Sequence, residues 1–119
     1  MYEFKYQRPI SVRQASNMLA KDPEAKILAG GYSLLPVMKL RLARPSQLLD
    51  IGRIEGLSGI ELKGRSLVIG ATTRHVDVAN SEVAQQALPV IAKLAAGIGD
   101  PHIRHRGTIG GSLANNDPN

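Results

Sequence analysis

Two glycine pairs, Gly30-Gly31 and Gly110-Gly111, constrain the structure of this 119-residue chain more than any other feature. Each pair is followed closely by a serine, Ser33 or Ser112, and then by apolar residues. Because glycine has no Cβ, its backbone N–H groups can come close to the oxygens of a bound anion. The sequence therefore predicts two ligand loops, about 80 residues apart, that form two walls of one cleft.

Neither glycine pair defines a nucleotide-binding motif by itself. The surrounding sequence matches neither G-x-G-x-x-G nor G-x-x-x-x-G-K-[ST], so Rossmann and P-loop folds are unsupported. A lone Gly-Gly pair at the end of a strand is usually only a turn. The residues alone thus leave two interpretations open, a pair of turns or an anion or nucleotide site.

Residues 1–52 are predicted to form one small βαβ-like unit. Ser11 and Gln14 have the spacing of a capping box, and apolar residues recur at helical spacing from there to about Lys21. Apolar patterning and turn residues predict three further elements: a buried strand over 25–29, a short helix over 34–42 with Pro36 in its first turn, and a second strand over 47–51. The first glycine loop is therefore expected between a strand and a helix.

Residues 53–119 are predicted to form a hairpin followed by helices. The hairpin strands are expected over 59–62 and 66–70, joined by residues 63–65. Thr72 or Thr73 is expected to cap a helix running to about Asn80. A later helix is expected to bury one face, made of Val90, Ile91, Leu94, Ala95 and Ile98. Residues 100–107 are expected to be an irregular connection, and the whole pattern predicts an α+β chain.

Composition limits the function classes open to this chain. The absence of cysteine excludes disulfides, iron–sulfur clusters and thiolate zinc sites, so any redox chemistry must come from a bound organic cofactor. No apolar run approaches the roughly 20 residues of a membrane helix, and no signal peptide is evident, so the chain is expected to be soluble and cytoplasmic. The net charge of +5 suits an anionic small ligand. A basic nucleic-acid-binding module would also fit that charge, but no such motif is present and no nucleic acid partner is expected.

The residues around the glycine pairs carry a far more specific resemblance. Residues 29–36, AGGYSLLP, followed by MKLRL at 38–42, and residues 106–114, RGTIGGSLA, are similar to motifs of the medium subunits of molybdenum hydroxylases. That family includes aerobic carbon monoxide dehydrogenase and xanthine dehydrogenase. Shorter similar segments lie between and after these motifs: LDI at 49–51, GATTRH at 70–75, IGDP at 98–101 and DP at 117–118. The resemblance covers essentially the whole chain in the family's order.

The resemblance implies FAD as the cofactor and a particular fold. The chain would be the N-terminal part of the two-subdomain FAD-binding fold of the vanillyl-alcohol oxidase type, with residues 1–52 as FAD subdomain 1 and residues 53–119 as an incomplete subdomain 2. Thr73 and His75 are weaker candidates for contact with FAD. The implied cofactor-binding residues are Ala29, Gly30, Gly31, Tyr32, Ser33, Leu34, Leu35, Thr73, Ile98, Gly99, Thr108, Ile109, Gly110, Gly111, Ser112, Ala114 and Asn115.

The resemblance also implies a place in an oxidoreductase complex. In the family, electrons pass from a molybdenum centre on a large subunit through iron–sulfur clusters on a small subunit to the flavin, and then to an external acceptor. The expected partners are those two subunits, in a heterotrimer or its dimer. The flavin does the redox chemistry, so no acid–base catalyst is expected in this chain. The missing cysteines agree with clusters held on a different chain.

The chain departs from the family pattern at three places. His102 and His105 stand where relatives usually have Gln and Asn; without a third ligand, surface histidines are favoured over a metal site. Asn115-Asn116 replaces a more usual pair containing Ala or His. Because the sequence stops at Asn119 while relatives continue, it is expected to be an N-terminal fragment, inactive when isolated. The competing hypothesis is an assembly or anion-binding module that no longer holds FAD by itself.

Overall fold

The computed structural model describes residues 1–118 and divides the chain into two compact units, Met1–Glu55 and Gly56–Asn119. Helices and strands both contribute, as the α+β prediction requires. The units divide three residues beyond the predicted domain boundary at 52/53, and the interpretation of the two parts as FAD subdomains stays a prediction. Among the described residues, no helix is both long enough and apolar enough to span a membrane.

The first unit is built on a three-stranded parallel sheet. The strand order is β1-β3-β2, so β3 is central, and its Leu48 and Leu49 are almost fully buried. Two helices connect the strands, which makes the predicted βαβ-like unit correct. The elements of this unit are β1 Lys5–Gln7, α1 Val12–Lys21, β2 Lys26–Leu28, α2 Leu34–Lys39 and β3 Gln47–Asp50.

Helix α1 begins where the capping box predicted. The Ser11 hydroxyl accepts a hydrogen bond from the Gln14 backbone N–H at 3.1 Å. The Gln14 side chain turns back and accepts from the Ile10 N–H at 2.7 Å, one residue before the predicted partner. Strand β1, which the sequence did not predict, pairs with β3 in parallel register through Tyr6 and Leu48.

Strand β2 was predicted to be buried, and this was wrong. It lies at the edge of the sheet, with Lys26 exposed and 38% of Ile27 accessible to solvent. An apolar run of this length predicts a strand but does not say whether the strand is central or at an edge. The central place belongs to β3, which pairs with a neighbour on each side.

Helix α2 is three residues shorter than predicted because Arg41 leaves the helical conformation. Arg41 has φ +59, and the Leu42 N–H donates to the Val37 carbonyl at 3.0 Å while the Arg41 N–H donates to the Met38 carbonyl at 3.0 Å. This is a Schellman ending in which arginine takes the place usually held by glycine. The Arg41 guanidinium then lies 5.2 Å from the centre of the Tyr2 ring.

The second unit begins with an antiparallel hairpin and continues as five short helices. The hairpin is correct, although its loop has two residues rather than three, because Lys63 pairs with Ser66 and Gly64 turns with φ +59. The elements of this unit are β4 Ile60–Lys63, β5 Ser66–Ile69, α3 His75–Ala79, α4 Glu82–Ala87, α5 Pro89–Ala96, α6 Pro101–Arg106 and α7 Ile109–Ala114.

The predicted threonine cap of α3 was wrong. The helix begins after Arg74, which makes no side-chain cap, while the hydroxyls of Thr72 and Thr73 bind the chain before the hairpin. Thr72 donates to the Leu57 carbonyl at 2.8 Å, and the Thr73 hydroxyl accepts from the Gly59 N–H at 3.0 Å. These partners lie about 15 residues earlier, so no local cap pattern reveals them.

Residues 100–107 were predicted to be irregular, but they contain helix α6. Asp100 caps it by accepting from the Ile103 N–H at 3.0 Å, and Pro101 occupies the first turn. A second helix, α4, was not predicted either; the Ser81 hydroxyl caps it by accepting from the Ala84 N–H at 3.1 Å. In both, an Asp or Ser cap is the sequence signal that marks the start.

Helix α5 was predicted at the right place, but only part of its predicted face is buried. Ala92 and Ala95 are buried, whereas Val90 is 66% and Leu94 51% exposed. Together with the fully buried Val78 and Ala84, these small residues form the core where α3, α4 and α5 pack. Small side chains allow short helices to approach closely, so the larger apolar residues remain outside.

Candidate nucleotide-binding site

The first glycine loop connects β2 to α2 and needs glycine at one position. Gly31 has φ +75, a left-handed conformation that residues with a side chain rarely adopt. A Cβ there would lie 2.9 Å from Leu35 Cδ1 and 3.1 Å from Leu28 Cδ1. The loop is tied to the helix by the Leu35 N–H, which donates to the Gly31 carbonyl at 3.0 Å.

The backbone N–H groups of this loop have no partner within the part of the chain that the structure describes. Residues 30–34 donate no hydrogen bond to any backbone or side-chain acceptor among residues 1–118. Ser33 precedes the helix, yet its hydroxyl makes no cap. Tyr32 and Ser33 are exposed, and Ala29, Leu34 and Leu35 are half-buried. Five successive N–H donors are thus available to a ligand rich in acceptors.

The second glycine pair lies inside the first turn of helix α7 rather than in an open loop. Thr108 caps the helix, and its hydroxyl accepts from the Gly111 N–H at 3.1 Å. The Ile109 N–H donates to the Thr73 carbonyl at 3.0 Å and the Gly110 N–H to the Ala71 carbonyl at 2.9 Å. The Ser112 N–H donates to the Thr108 carbonyl at 3.0 Å. All four amides from 109 to 112 are therefore engaged within the chain.

The two glycines of the second pair meet packing requirements. A Cβ on Gly110 would lie 2.6 Å from the Ala71 carbonyl oxygen and 2.7 Å from the Ala71 Cβ. A Cβ on Gly111 would lie 2.8 Å from the Thr108 hydroxyl oxygen that caps the helix. Both positions have a structural reason to be glycine, and Ala71, which the sequence did not single out, provides the closest contact.

The His75 side chain contacts the second glycine region at Ser112. It is buried, with 3% of its surface exposed, and its Nε2 lies 3.0 Å from Ser112 Oγ. Burial lowers the pKa of His75, and the nearby Asp117 carboxylate partly opposes this. The His75 backbone N–H donates to the Gly107 carbonyl at 3.1 Å, so helix α3 begins against the chain that leads into α7. The structure thus joins the weak candidate His75 to the predicted site residue Ser112.

The other predicted site residues, Thr73, Ile98, Gly99, Ala114 and Asn115, lie outside the two glycine pairs. Thr73 is 2% exposed, and its hydroxyl hydrogen-bonds to the backbone N–H and carbonyl of Gly59. The carbonyls of Ile98 and Gly99 accept from Arg104 Nη1 at 3.1 and 2.9 Å, so Arg104 fixes this turn. Ala114 and Asn115 are exposed at the end of α7, and contact of these residues with a cofactor stays a prediction.

The histidines of helix α6 do not form a metal cluster. His102 and His105 are both exposed, and His105 Nδ1 binds the Pro101 carbonyl at 2.6 Å. Among residues 1–118, no group of three or more His, Asp or Glu side chains is arranged to hold a metal ion.

The fold and these glycine regions define a class of protein. The family described as "FAD binding domain in molybdopterin dehydrogenase" matches residues 2–119, so the chain belongs to that family of FAD-binding domains. The resemblance of the glycine motifs is confirmed by this match, and FAD is the cofactor of the family.

Particular relatives sharpen the assignment. The carbon monoxide dehydrogenase medium chain of Hydrogenophaga pseudoflava is 48% identical over 116 residues, which cover 97% of this chain and 40% of that protein. The xanthine dehydrogenase FAD-binding subunit of Escherichia coli O157:H7 is 34% identical over 117 residues, covering 97% and 40%. The present chain therefore spans about 40% of the length of the curated relatives it matches.

Solved structures agree in fold. A structure of carbon monoxide dehydrogenase from Hydrogenophaga pseudoflava matches with a TM-score of 0.92 at 48% identity, over 95% of this chain and 40% of that one. Quinoline 2-oxidoreductase from Pseudomonas putida 86 matches with a TM-score of 0.91 at 36% identity, also over 95% and 40%. The chain thus has the fold of the corresponding part of these enzymes.

Proposed function

We propose that this chain supplies the pyrophosphate-binding part of an FAD-binding subunit in a molybdenum-containing hydroxylase or dehydrogenase. The observation that carries the proposal is the row of unpartnered amides at residues 30–34, within the described chain, in a family of FAD-binding domains. A dinucleotide pyrophosphate offers several anionic oxygens at the spacing of successive backbone N–H groups. The net charge of +5 favours such an anion as well.

The left-handed turn at Gly31 fits a bound pyrophosphate. A Cβ at this position would meet Leu35 and would require a strained backbone, so glycine allows the left-handed turn that carries the unpartnered amides. The side chains of Ser33 and Tyr32 are exposed beside it and can contact the ribityl or ribose groups. This loop is therefore proposed as the main binding site for the pyrophosphate.

The second glycine region is proposed to contribute differently. Its amides from 109 to 112 are occupied, so contact with FAD would come from the Ser112 hydroxyl and from the surface of helix α7 rather than from the Gly110 and Gly111 N–H groups. Ser112, Gly110 and Gly111 are half-buried, which leaves part of each accessible. The two-subdomain FAD-binding fold of the vanillyl-alcohol oxidase type is part of this proposal.

The proposed role of the whole subunit is electron transfer. Bound FAD would supply the redox chemistry, taking electrons from iron–sulfur clusters on a small subunit and passing them to an external acceptor. The proposed partners are that small subunit and a large subunit with the molybdenum cofactor, because the relatives are named medium chains or subunits of such dehydrogenases. The cytoplasm is the proposed location. We assign no substrate, since its choice is made on another chain.

FAD content tests the proposal. The subunit that contains this chain would be co-expressed with the large and small subunits, and the complex would be purified. The amount of FAD released on denaturation would then be measured per complex. We expect close to one FAD in the wild type and a clear loss in Gly31→Ala, because alanine disfavours the left-handed backbone at φ +75 that sets the direction of the neighbouring amides. Gly64→Ala is the matched control: Gly64 also has a positive φ, but nothing lies within 4 Å of a Cβ there.

Gly31→Ala and Gly64→Ala both place a side chain at a left-handed backbone position. An equal loss of FAD in the two variants would therefore indicate general destabilisation of the protein rather than loss of the contact between the first glycine loop and FAD. FAD near zero in the wild-type complex, or equal loading in Gly31→Ala and wild type, would contradict the proposal. An assembly or anion-binding module without FAD would then be the better description.

A further inference from the structure

We infer that His75 is a positioning residue that leaves the Ser112 hydroxyl proton free to donate to an anionic oxygen of the cofactor. This inference rests on the proposed function, because it needs a phosphate oxygen near Ser112. Its basis is geometric: a buried imidazole has its Nε2 3.0 Å from Ser112 Oγ, beside the first turn of α7.

The imidazole is held firmly in this place. Its backbone N–H donates to the Gly107 carbonyl at 3.1 Å, and the ring lies so close to Gly107 that a Cβ there would be 3.0 Å from His75 Cδ2. The adjacent residues Arg74 and Thr108 form an antiparallel bridge. A side chain fixed at both its backbone and its ring can impose an orientation on its hydrogen-bond partner.

The direction of the His75–Ser112 hydrogen bond decides what Ser112 can do. A serine hydroxyl has a single proton, and a neutral imidazole carries its proton on only one nitrogen. If Nε2 is unprotonated, Ser112 must donate to it, and only lone pairs remain to face an anion. If Nε2 carries the proton, His75 donates to Ser112 Oγ, and the serine proton can point at a phosphate oxygen.

Only the second arrangement suits an anionic ligand, because Ser112 then acts as a donor rather than as a repelling acceptor. The second glycine region makes this contribution necessary. Its backbone amides at 110 and 111 are already used by Ala71 and Thr108, so a donor for the ligand has to come from a side chain such as Ser112. His75 would thus convert an otherwise amide-poor region into a hydrogen-bond donor.

Affinity measurements on the complex test the inference. We expect Ser112→Ala to weaken FAD binding roughly tenfold or more, since a hydrogen bond to a charged group is removed. His75→Leu should weaken it by a smaller factor, because the serine proton is kept but is no longer oriented by the imidazole. The double variant should bind no worse than Ser112→Ala, because His75 acts only through the Ser112 hydroxyl. His75→Gln should restore affinity, as its amide N–H₂ can take the place of Nε2–H, whereas His75→Asn should not.

Several outcomes separate this inference from its alternatives. His102→Leu, on the exposed face of α6, is the control for a general loss of histidine, and thermal unfolding of each apo complex checks folding. The ¹⁵N spectrum of His75 in the FAD-loaded protein should show the proton on Nε2; a proton on Nδ1 alone would overturn the inference. So would unchanged affinity in His75→Leu alongside a loss in Ser112→Ala. If Gly31→Ala and Ser112→Ala also leave FAD binding unchanged, the proposed function itself fails.

Discussion

The two glycine regions are alike in sequence and opposite in hydrogen bonding. Residues 30–34 have unpartnered amides among the described residues, and Gly31 is left-handed, so this region has the form of an open loop. The amides from 109 to 112 all find acceptors in the chain, so this region is the capped start of a helix. Paired glycines beside serine therefore do not specify one use: the first pair exposes the backbone, and the second lets two backbone segments pack together.

The largest expected difference concerns the stability of Gly110→Ala. The new Cβ would meet the backbone of Ala71 at 2.6 Å, and neither segment can move without breaking the Gly110–Ala71 hydrogen bond. We expect a loss of about 3 kcal/mol in the free energy of unfolding, measured by urea denaturation. Gly97→Ala is the control, because its nearest neighbour would be 3.6 Å away. Equal stability of the two variants would mean that the second region is as open as the first.

A smaller loss is expected for Gly31→Ala. The methyl group would meet the end of the flexible Leu35 side chain, which can rotate, so the remaining penalty is the left-handed backbone. That penalty is about 1 kcal/mol, again measured as the free energy of unfolding. A loss as large as that of Gly110→Ala would show that the first glycine is also a packing residue, and the contrast between the regions would disappear.

The two hydroxyl residues in front of the helices give a matched pair. Thr108→Ala removes the cap on the Gly111 amide and should lower stability by about 1 kcal/mol, whereas Ser33→Ala removes no cap and should change it by less than about 0.5 kcal/mol. Thermal unfolding of the two variants measures the difference. Thr108→Ser keeps the hydroxyl and should behave like wild type. A destabilised Ser33→Ala would place a structural hydrogen bond in the first loop.

The smallest expected effect is a pH dependence in the second region alone. Because the pKa of His75 is lowered in the folded chain, the unfolded chain binds more protons below about pH 6.5. Stability is therefore complete above that pH and declines as the pH falls through the unfolded value. His75→Gln should remove this decline, which we expect to be below about 1 kcal/mol between roughly pH 7.5 and 5.5. His102→Gln should keep it, and the same decline in His75→Gln would assign it to other groups.

The sequence predicted the parts of the fold that depend on neighbours in the chain. The capping box at Ser11 and Gln14 and the hairpin around Gly64 rest on residues a few positions apart, and both are correct. The threonine cap failed because Thr72 and Thr73 bind partners about 15 residues earlier. Helix α6 was missed although Asp100-Pro101 is a good start signal, because glycines flank it on both sides.

The same distinction applies to the candidate site. The glycine motifs and their flanking residues predicted the family, which the match over residues 2–119 confirms. The motifs could not predict that Ala71 and Thr73 accept the amides of the second region, because those acceptors are more than 30 residues away. Nor could the exposure of Val90 and Leu94 be read from helical spacing, since alanines form the packed face.

The hydrogen bonds of the amides in the second region also determine how fast the amide hydrogens exchange with water. Amides at 109 and 110 can exchange only when α7 separates from residues 71–73, and those at 111 and 112 only when the first turn of α7 opens. The amides at 30 to 34 have no such bond to break within the described chain. Deuterium would therefore enter the first loop early and the second region late. A cofactor held by the first loop would slow exchange there and change little at 109 to 112, so one labelling experiment would distinguish ligand contact from internal structure.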